Sequence, residues 1–427
     1  RPATVGGQRL GWQPVRAGTV VVRLRYPGEE VAVAMKITDV SVIALTYPCP
    51  VPMADAIHYM PARNALLVQV HTDEGITGLG EAAAYGGPLS VTAAIVRDEL
   101  RPLLLGQDPF LVERLWQRLF VTTHQHGRRG ALLMAISGVD IALWDIIGQA
   151  TRTPLYRILG AYRDEVQAYA SAGFYAEGKD AAALATEMAG YVEEGFSYVK
   201  IKIGRNPEAL LNPLRDMPES DFATVSLAED LRRVHAVRQA IGPEVKLMVD
   251  ANNAWTAPTA VSMMREMEKD DIFWFEEPVG SDDLIGSALV ARTLDVPIAG
   301  YETETAVYGF RDLIAGGAVD IVQPDVTWSG GITECRRIAA LAHAYRLPCI
   351  PHVFSSAVSL VANLHFIASL PNGRLLEFDR NPNPLRDELF NEPIAIDRRG
   401  FVAVPSRPGL GVTLNLATIE KYRVDIG

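Results

Sequence analysis

Asp250, Glu276 and Glu302 stand 26 positions apart, each closing or just following a short apolar run: KLMVD, IFWFEE and PIAGYE. In a barrel of alternating strands and helices, one strand–helix unit takes about that length, and catalytic groups collect at the C-terminal strand ends. Three acids one repeat apart therefore come from adjacent strands and converge on one point. Like charges at such a point repel, so a hard divalent cation with oxygen ligands is the expected occupant. The spacing predicts a metal-dependent enzyme.

The surrounding text supports a barrel. From Glu165 onward, strand-like runs alternate with helical stretches: VQAYA, YVKIKIG, VKLMVD, FWFEE, PIAGY, DIVQPD, PCIPH and RLLEF. That is the signature of a parallel α/β barrel. Upstream, MKITDVSVIALTYP, NALLVQVHTDEG and ITGLGEA read as an antiparallel meander. Apolar spacing turns helical from about residue 90 to 160, which makes an α+β domain. The expected division is an N-terminal extension over residues 1–34, from cloning or the choice of start site, then a capping domain over 35–160 and a barrel over 161–392. Residues 393–427 are expected to pack back on the capping domain.

Composition narrows the function. The chain has 427 residues, 48% hydrophobic and 21% charged, an ordinary globular make-up able to bury a large core. A net charge of −11 with no basic stripe argues against a nucleic-acid or acidic-membrane partner. Cys49, Cys335 and Cys349 show neither metal spacing nor a paired framework, which fits a reducing cytoplasm. No run reads as the ~18 consecutive apolar residues of a membrane-spanning helix.

Period-two geometry in YVKIKIG puts Lys200 and Lys202 on one face and Ile201 and Ile203 on the other. A parallel barrel strand is covered on both sides, so two inward lysines belong to a site. A cation-rich, low-dielectric site is expected to lower a lysine pKa to ~7–8, where it serves as a base. Lys200 also reads as a simple counter-charge to the carboxylates. Asp325 and His352 end the next two strands, an arrangement that fixes a histidine tautomer and tunes a general base. Glu377 ends the last strand and is read either as a protonated hydrogen-bond donor or as a contact to a substrate hydroxyl. Asn252 and Glu304 each lie two residues past a ligand candidate and are expected to support it. Trp255 and Trp328 are expected at the mouth. His124 and His126 lie between helical stretches, far upstream of the first barrel strand, and are set aside as metal ligands.

Together these groups resemble the enolase superfamily, specifically the mandelate racemase subgroup of its mandelate racemase/muconate lactonizing enzyme family. The resemblance runs from about Met35 to the end, through GLGEA, GVDIALWDIIGQATRTPLYRILG, YVKIKIG, VDANNAW, WFEEP, IAGYE, QPDVTWSGG, PHVFSS and PGLG. Departures are Tyr301 before the third acid, where glycine is common, and Ala161 where a second glycine usually stands. The resemblance implies a (β/α)7β modified TIM barrel under an N-terminal α+β capping domain, and a homo-oligomer. It implies one Mg2+ held by Asp250, Glu276 and Glu302, with Lys202 and the His352–Asp325 dyad flanking the substrate and Glu377 supporting an enolate. Two capping loops, about residues 47–63 and 82–87, should close the site. His58 and Tyr59 lie in the first and are candidate substrate contacts.

The chemistry implied is abstraction of the proton α to a carboxylate bound by Mg2+ and Lys200. Dehydration of a sugar acid to a 2-keto-3-deoxy acid is the expected outcome. Cycloisomerisation of a sugar-acid lactone or anhydro sugar acid, or epimerisation, is the alternative, and a non-catalytic binding barrel is a remote one. A long segment, residues 205–230, leaves the catalytic face with three prolines and no clear periodicity. It reads either as an overhang on the site or as a surface insertion without a role.

Overall fold

The computed structural model describes residues 35–85, 87–209 and 221–426. The extension over residues 1–34 and the middle of the 205–230 segment lie outside them.

The capping domain opens with an antiparallel meander of β1 (Ile37–Ala54), β2 (Tyr59–Thr72) and β3 (Thr77–Ala82). The first expected loop is in fact an arm of this sheet, because β1 and β2 pair out to Ala54 and Tyr59 and leave a short turn at Asp55–His58. Pro48, Pro50 and Pro52 masked the strand: they cannot donate ladder hydrogen bonds, and the register shifts between Pro48 and Met53.

Helix Ala131–Ala150 lies against β3 with almost every residue buried. It corrects the expectation about apolar runs, since it is long and apolar enough to cross a membrane, yet 94% of its apolar window is buried inside the fold. The GLG of β3 explains the fit. A Cβ on Gly80 would stand 2.0 Å from the Gly138 carbonyl oxygen, and one on Gly78 would stand 2.1 Å from that of Ala142. Strand and helix backbones therefore touch. Gly80→Ala should cost more than about 2 kcal/mol in urea unfolding through overpacking. A variant with the parent's unfolding midpoint would contradict this contact.

The barrel runs β4 (Glu165–Ser171), β5 (Tyr198–Lys202), β6 (Lys246–Asp250), β7 (Ile272–Glu276), β8 (Ile298–Gly300), β9 (Ile321–Val322) and β10 (Leu375–Asp379). All pair in parallel, in that order, and β10 closes on β4. Among the described residues, seven long helices, from Ala181–Glu193 to Ala357–Ser369, fill the connections. The expected strand PCIPH is reduced to single bridges from Cys349 to Val322 and to Gly373. Pro348 and Pro351 bracket it without N–H donors, so the ladder cannot lengthen. Eight positions around the ring are kept.

The tail divides its contacts. β11 (Phe401–Ala403) pairs antiparallel with β4, whereas Ile419 and Tyr422 join the capping core.

Three buried carboxylates of the cap tie it to its surroundings, two to barrel helices and one to the C-terminal segment. Glu81, at the end of β3, accepts from Ser356 Oγ at 2.5 Å and from the Ser359 amide at 2.8 Å, and so caps helix Ala357–Ser369. Asp140 accepts from the Thr333 amide at 2.9 Å, in the first turn of helix Gly331–Ala344. Asp145 accepts from the amides of Leu79 and Leu410. Anionic side chains suit helix N-termini, and these contacts hold the capping segments over the strand ends.

Candidate active site

Parallel register sets the acid row. Lys202 pairs with Asp250, Asp250 with Glu276, and Glu276 with Ala299, three residues before Glu302. Lys200 and Lys202 point inward, as alternation requires, and are 0% and 5% exposed. The Lys200 ammonium contacts Glu276 and lies 2.8 Å from Glu377, with Asp250 at 3.7 Å. Lys202 contacts Asp250. At the other end of the row, His352 Nε2 lies 3.2 Å from Glu302, and its Nδ1 is hydrogen-bonded to Asp325 at 2.8 Å. Asp325 is in turn held by the Thr327 amide and hydroxyl, both at 2.8 Å. The three acids thus stand between two basic groups.

Electrostatics follow from burial. Burial and the charge of Asp250 push Glu276 up to about 7, although Lys200 opposes this. Burial also raises Glu302, against the pull of His352 and Lys202. For Lys202, burial disfavours the charge, but the Asp250 carboxylate outweighs it and holds the ammonium above its ordinary range. The protein's own charges thus raise Lys202, because the field there is that of the acids, and the lowering expected of a cation-rich site belongs to the metal-bound state. Burial likewise opposes protonation of His352, and Glu302, Asp325 and Glu377 overcome it and raise the imidazole to about 9. Glu377 departs from the protonated option: burial opposes its charge, yet Lys200 and His352 hold it at about 2. It accepts from the Val353 amide at 2.9 Å and anchors Lys200.

No three His, Cys, Asp or Glu side chains among the described residues form a ready-made metal cage. Each acid of the row is instead turned on its own cation. The donor set nevertheless fits a hard divalent ion. Carboxylates of Asp250, Glu276, Glu277, Glu302 and Glu377 outnumber the nearby basic groups, and Asn252 Oδ1 is buried with no hydrogen-bond partner among the described residues. Oxygen ligands with surplus negative charge are what such an ion requires.

A cavity of about 720 Å³ opens at the Glu302–His352 end of the row, lined by those two and by Asn252, His58, Tyr59 and Trp328 among others, while Lys202, Asp250 and Glu276 are not part of its wall. His58 is bonded to Asp55 at 3.0 Å, and that carboxylate raises its pKa. Tyr59 packs on Phe222, 4.8 Å between centroids, so a flank of the 205–230 segment lies against the capping arm. Arg205, at the other flank, donates to the Asp55 carbonyl at 3.2 Å and also lines the cavity.

Two expected residues sit elsewhere. Glu304 turns toward Arg129 of the cap, 2.9 Å away, and is not part of the cavity wall. Trp255 is wholly buried in the barrel's outer core, with its indole donating to Asn206. Both lie just past strand ends, where turns end the alternation that would fix their direction.

Glu277 was missed by sequence reasoning. Alternation would send it away from Glu276, but its φ of 43° breaks the pattern. Its carboxylate accepts from the Glu302 amide at 2.9 Å and from Asn253 Nδ2 at 2.6 Å, bracing the turns after β6 and β8. The doubled acid in WFEEP was the available signal. Arg63, Tyr85 and Phe354 are also of the wall; the first two fall within the capping segments expected to close the site and the third within PHVFSS, but no local pattern singles them out.

The comparisons agree with this geometry. Residues 37–160 match the "Mandelate racemase / muconate lactonizing enzyme, N-terminal domain", and residues 182–418 match "Enolase C-terminal domain-like". The chain is 41% identical to the arabinonate dehydratase of Saccharolobus solfataricus, over 83% of this chain and 89% of that one. It is 36% identical to the D-galactarolactone cycloisomerase of Agrobacterium fabrum, over 91% and 99%. A racemase structure from Streptomyces coelicolor with bound magnesium superposes with a TM-score of 0.80 at 32% identity, covering 91% of this chain and all (100%) of that one. The chain belongs to the mandelate racemase/muconate lactonizing enzyme family of the enolase superfamily.

Proposed function

We propose that the protein removes the proton α to the carboxylate of a polyhydroxy acid and expels the β-hydroxyl, giving a 2-keto-3-deoxy acid. The observation that carries this reading is a basic group at each end of one acid row, Lys202 at Asp250 and the Asp325-held His352 at Glu302. A Mg2+ held by Asp250, Glu276 and Glu302 would supply positive charge that acidifies the α-proton and offsets the carboxylate field that keeps Lys202 protonated.

Lys200, anchored by Glu377 of β10, offers its ammonium to the substrate carboxylate. Lys202 takes the α-proton. His352, whose Nδ1 is held by Asp325, gives its Nε2 proton to the departing hydroxyl. The C–O bond breaks, water leaves, and the enol tautomerises to the ketone. Asn252 is a further polar contact from the wall.

A second reading is supported by the 36% identity to a lactone cycloisomerase. There the same pair moves the proton, and the ring oxygen takes the place of the leaving hydroxyl. A library of open-chain sugar acids together with their lactones and anhydro forms, assayed with a carbonyl-trapping reagent and by product mass, separates the two, because both readings end in a keto acid. Keto acid from an open-chain acid with loss of one water is expected. Keto acid formed only from a lactone or anhydro acid, at unchanged mass, would give the reaction to cycloisomerisation.

A further inference from the structure

Two donors of the cavity wall are not used by this chemistry, and both lie beside one ring. Arg63, on β2, is 3% exposed. Its Nη2 donates to the Asp379 carboxylate at 2.6 Å and to the Phe354 carbonyl, and the guanidinium lies 3.8 Å over the Phe354 ring. Its Nη1 is buried with no hydrogen-bond partner among the described residues. Tyr85, in the second capping segment, packs 5.9 Å from Phe354, 5.9 Å from His352 and 4.9 Å from Trp328, centroid to centroid. Its hydroxyl is likewise buried without a partner among the described residues. Burial, Asp325 and Glu81 keep the phenol protonated, so it remains a donor.

Buried donors are seldom left unpaired, and a pair of them on a cavity wall calls for acceptors from a ligand. Charge decides which acceptors. The positive charge of Arg63 is matched by Asp379 at 2.6 Å, itself 3% exposed, and the second guanidinium near that carboxylate, Arg386 at 3.6 Å, is paired with Asp387 at 2.8 Å, so Nη1 offers a hydrogen bond without net charge. A hydroxyl oxygen is served by such a donor, whereas a second carboxylate would be desolvated against an ion pair already neutral. The other basic groups of the mouth, His58 and Arg205, both stand at Asp55.

We propose that Arg63 and Tyr85 form a polyol subsite beside Phe354, which grips hydroxyls remote from the reacting carboxylate and selects a polyhydroxy monoacid over a diacid. The subsite rests on the functional reading above only for the identity of the reacting end.

Binding tests it without requiring turnover. Calorimetric titration in the presence of Mg2+ would use a panel of pentonates and hexonates, the aldarates of matching configuration, and glycerate, which lacks the remote hydroxyls. The parent should bind its preferred aldonate at least about tenfold more tightly than the matching aldarate, and Tyr85→Phe should weaken that aldonate by about tenfold. Glycerate binding and the melting temperature should not fall in Tyr85→Phe, because the lost hydroxyl pairs with nothing among the described residues. Arg63→Lys, which keeps a cation for Asp379, should show the same selective loss. Tighter aldarate binding, failure of every aldonate to bind, or a Tyr85→Phe variant that binds aldonate as the parent does would overturn the subsite. Failure of the bound aldonate to exchange its α-proton would count instead against the reaction.

Discussion

Lys202→Ala and His352→Asn should each lower turnover of the preferred acid by about 10²-fold or more. The two residues serve opposite ends of the acid row, so neither substitutes for the other. Their defects should also differ in kind. With Lys202 removed, both exchange of the α-proton and product formation stop. With His352 removed, Lys202 can still exchange the α-proton with solvent deuterium while elimination fails for want of an acid. Melting curves separate these losses from misfolding, since Lys202→Ala leaves Asp250 with Lys200 at 3.7 Å as its remaining cation. Near-parental turnover in both variants would remove these residues from the mechanism.

Chelation should abolish turnover, and Mg2+ should restore it. Glu276→Gln should weaken Mg2+ binding by at least about tenfold, because it removes one charge of a three-carboxylate set. The fold should survive. The new amide can still accept from Lys200, and Gln323, whose Oε1 has no hydrogen-bond partner among the described residues, can reverse its amide to meet the new N–H group. The Trp274 indole, which donates at 3.0 Å to the same oxygen as Gln323, loses its acceptor, so a lowered melting temperature short of unfolding is expected. Calorimetry or equilibrium dialysis reads the affinity directly. A variant that binds Mg2+ as the parent does would place the ion elsewhere.

Much of this site was legible because parallel barrels convert sequence spacing into position. A repeat of 26 residues put Asp250, Glu276 and Glu302 on adjacent strand ends, and alternation aimed Lys200 and Lys202 inward. Legibility failed where the backbone leaves that regime. Glu277 and Asn252 sit at φ 43° and 40°, so their side chains follow turn geometry, not strand parity. The proline-rich stretch of β1 concealed a strand, and two prolines shortened the PCIPH position to bridges. Arg63 reaches the cavity through contacts far away in sequence, such as its bond to Phe354 at a separation of 291. Tyr85 meets the wall in the same way, through Trp328, His352 and Phe354. Both fall in the capping segments expected to close the site, but within those segments no local pattern singles them out. The lysine pKa is illegible for another reason: its sign depends on the balance of the acids and a bound cation around Lys202, and strand spacing names the neighbours without that balance.

Removal of an α-proton under Mg2+ control, by the groups flanking the acid row, is measured most directly by deuterium incorporation at the α-carbon of a sugar acid in D2O. NMR would follow it with Mg2+ present and after chelation. Exchange or a deuterated keto-acid product is expected with Mg2+, neither after chelation, and neither in Lys202→Ala. Turnover of the acid with the α-proton fully retained, or undiminished exchange in the chelated enzyme, would contradict α-proton abstraction by this site.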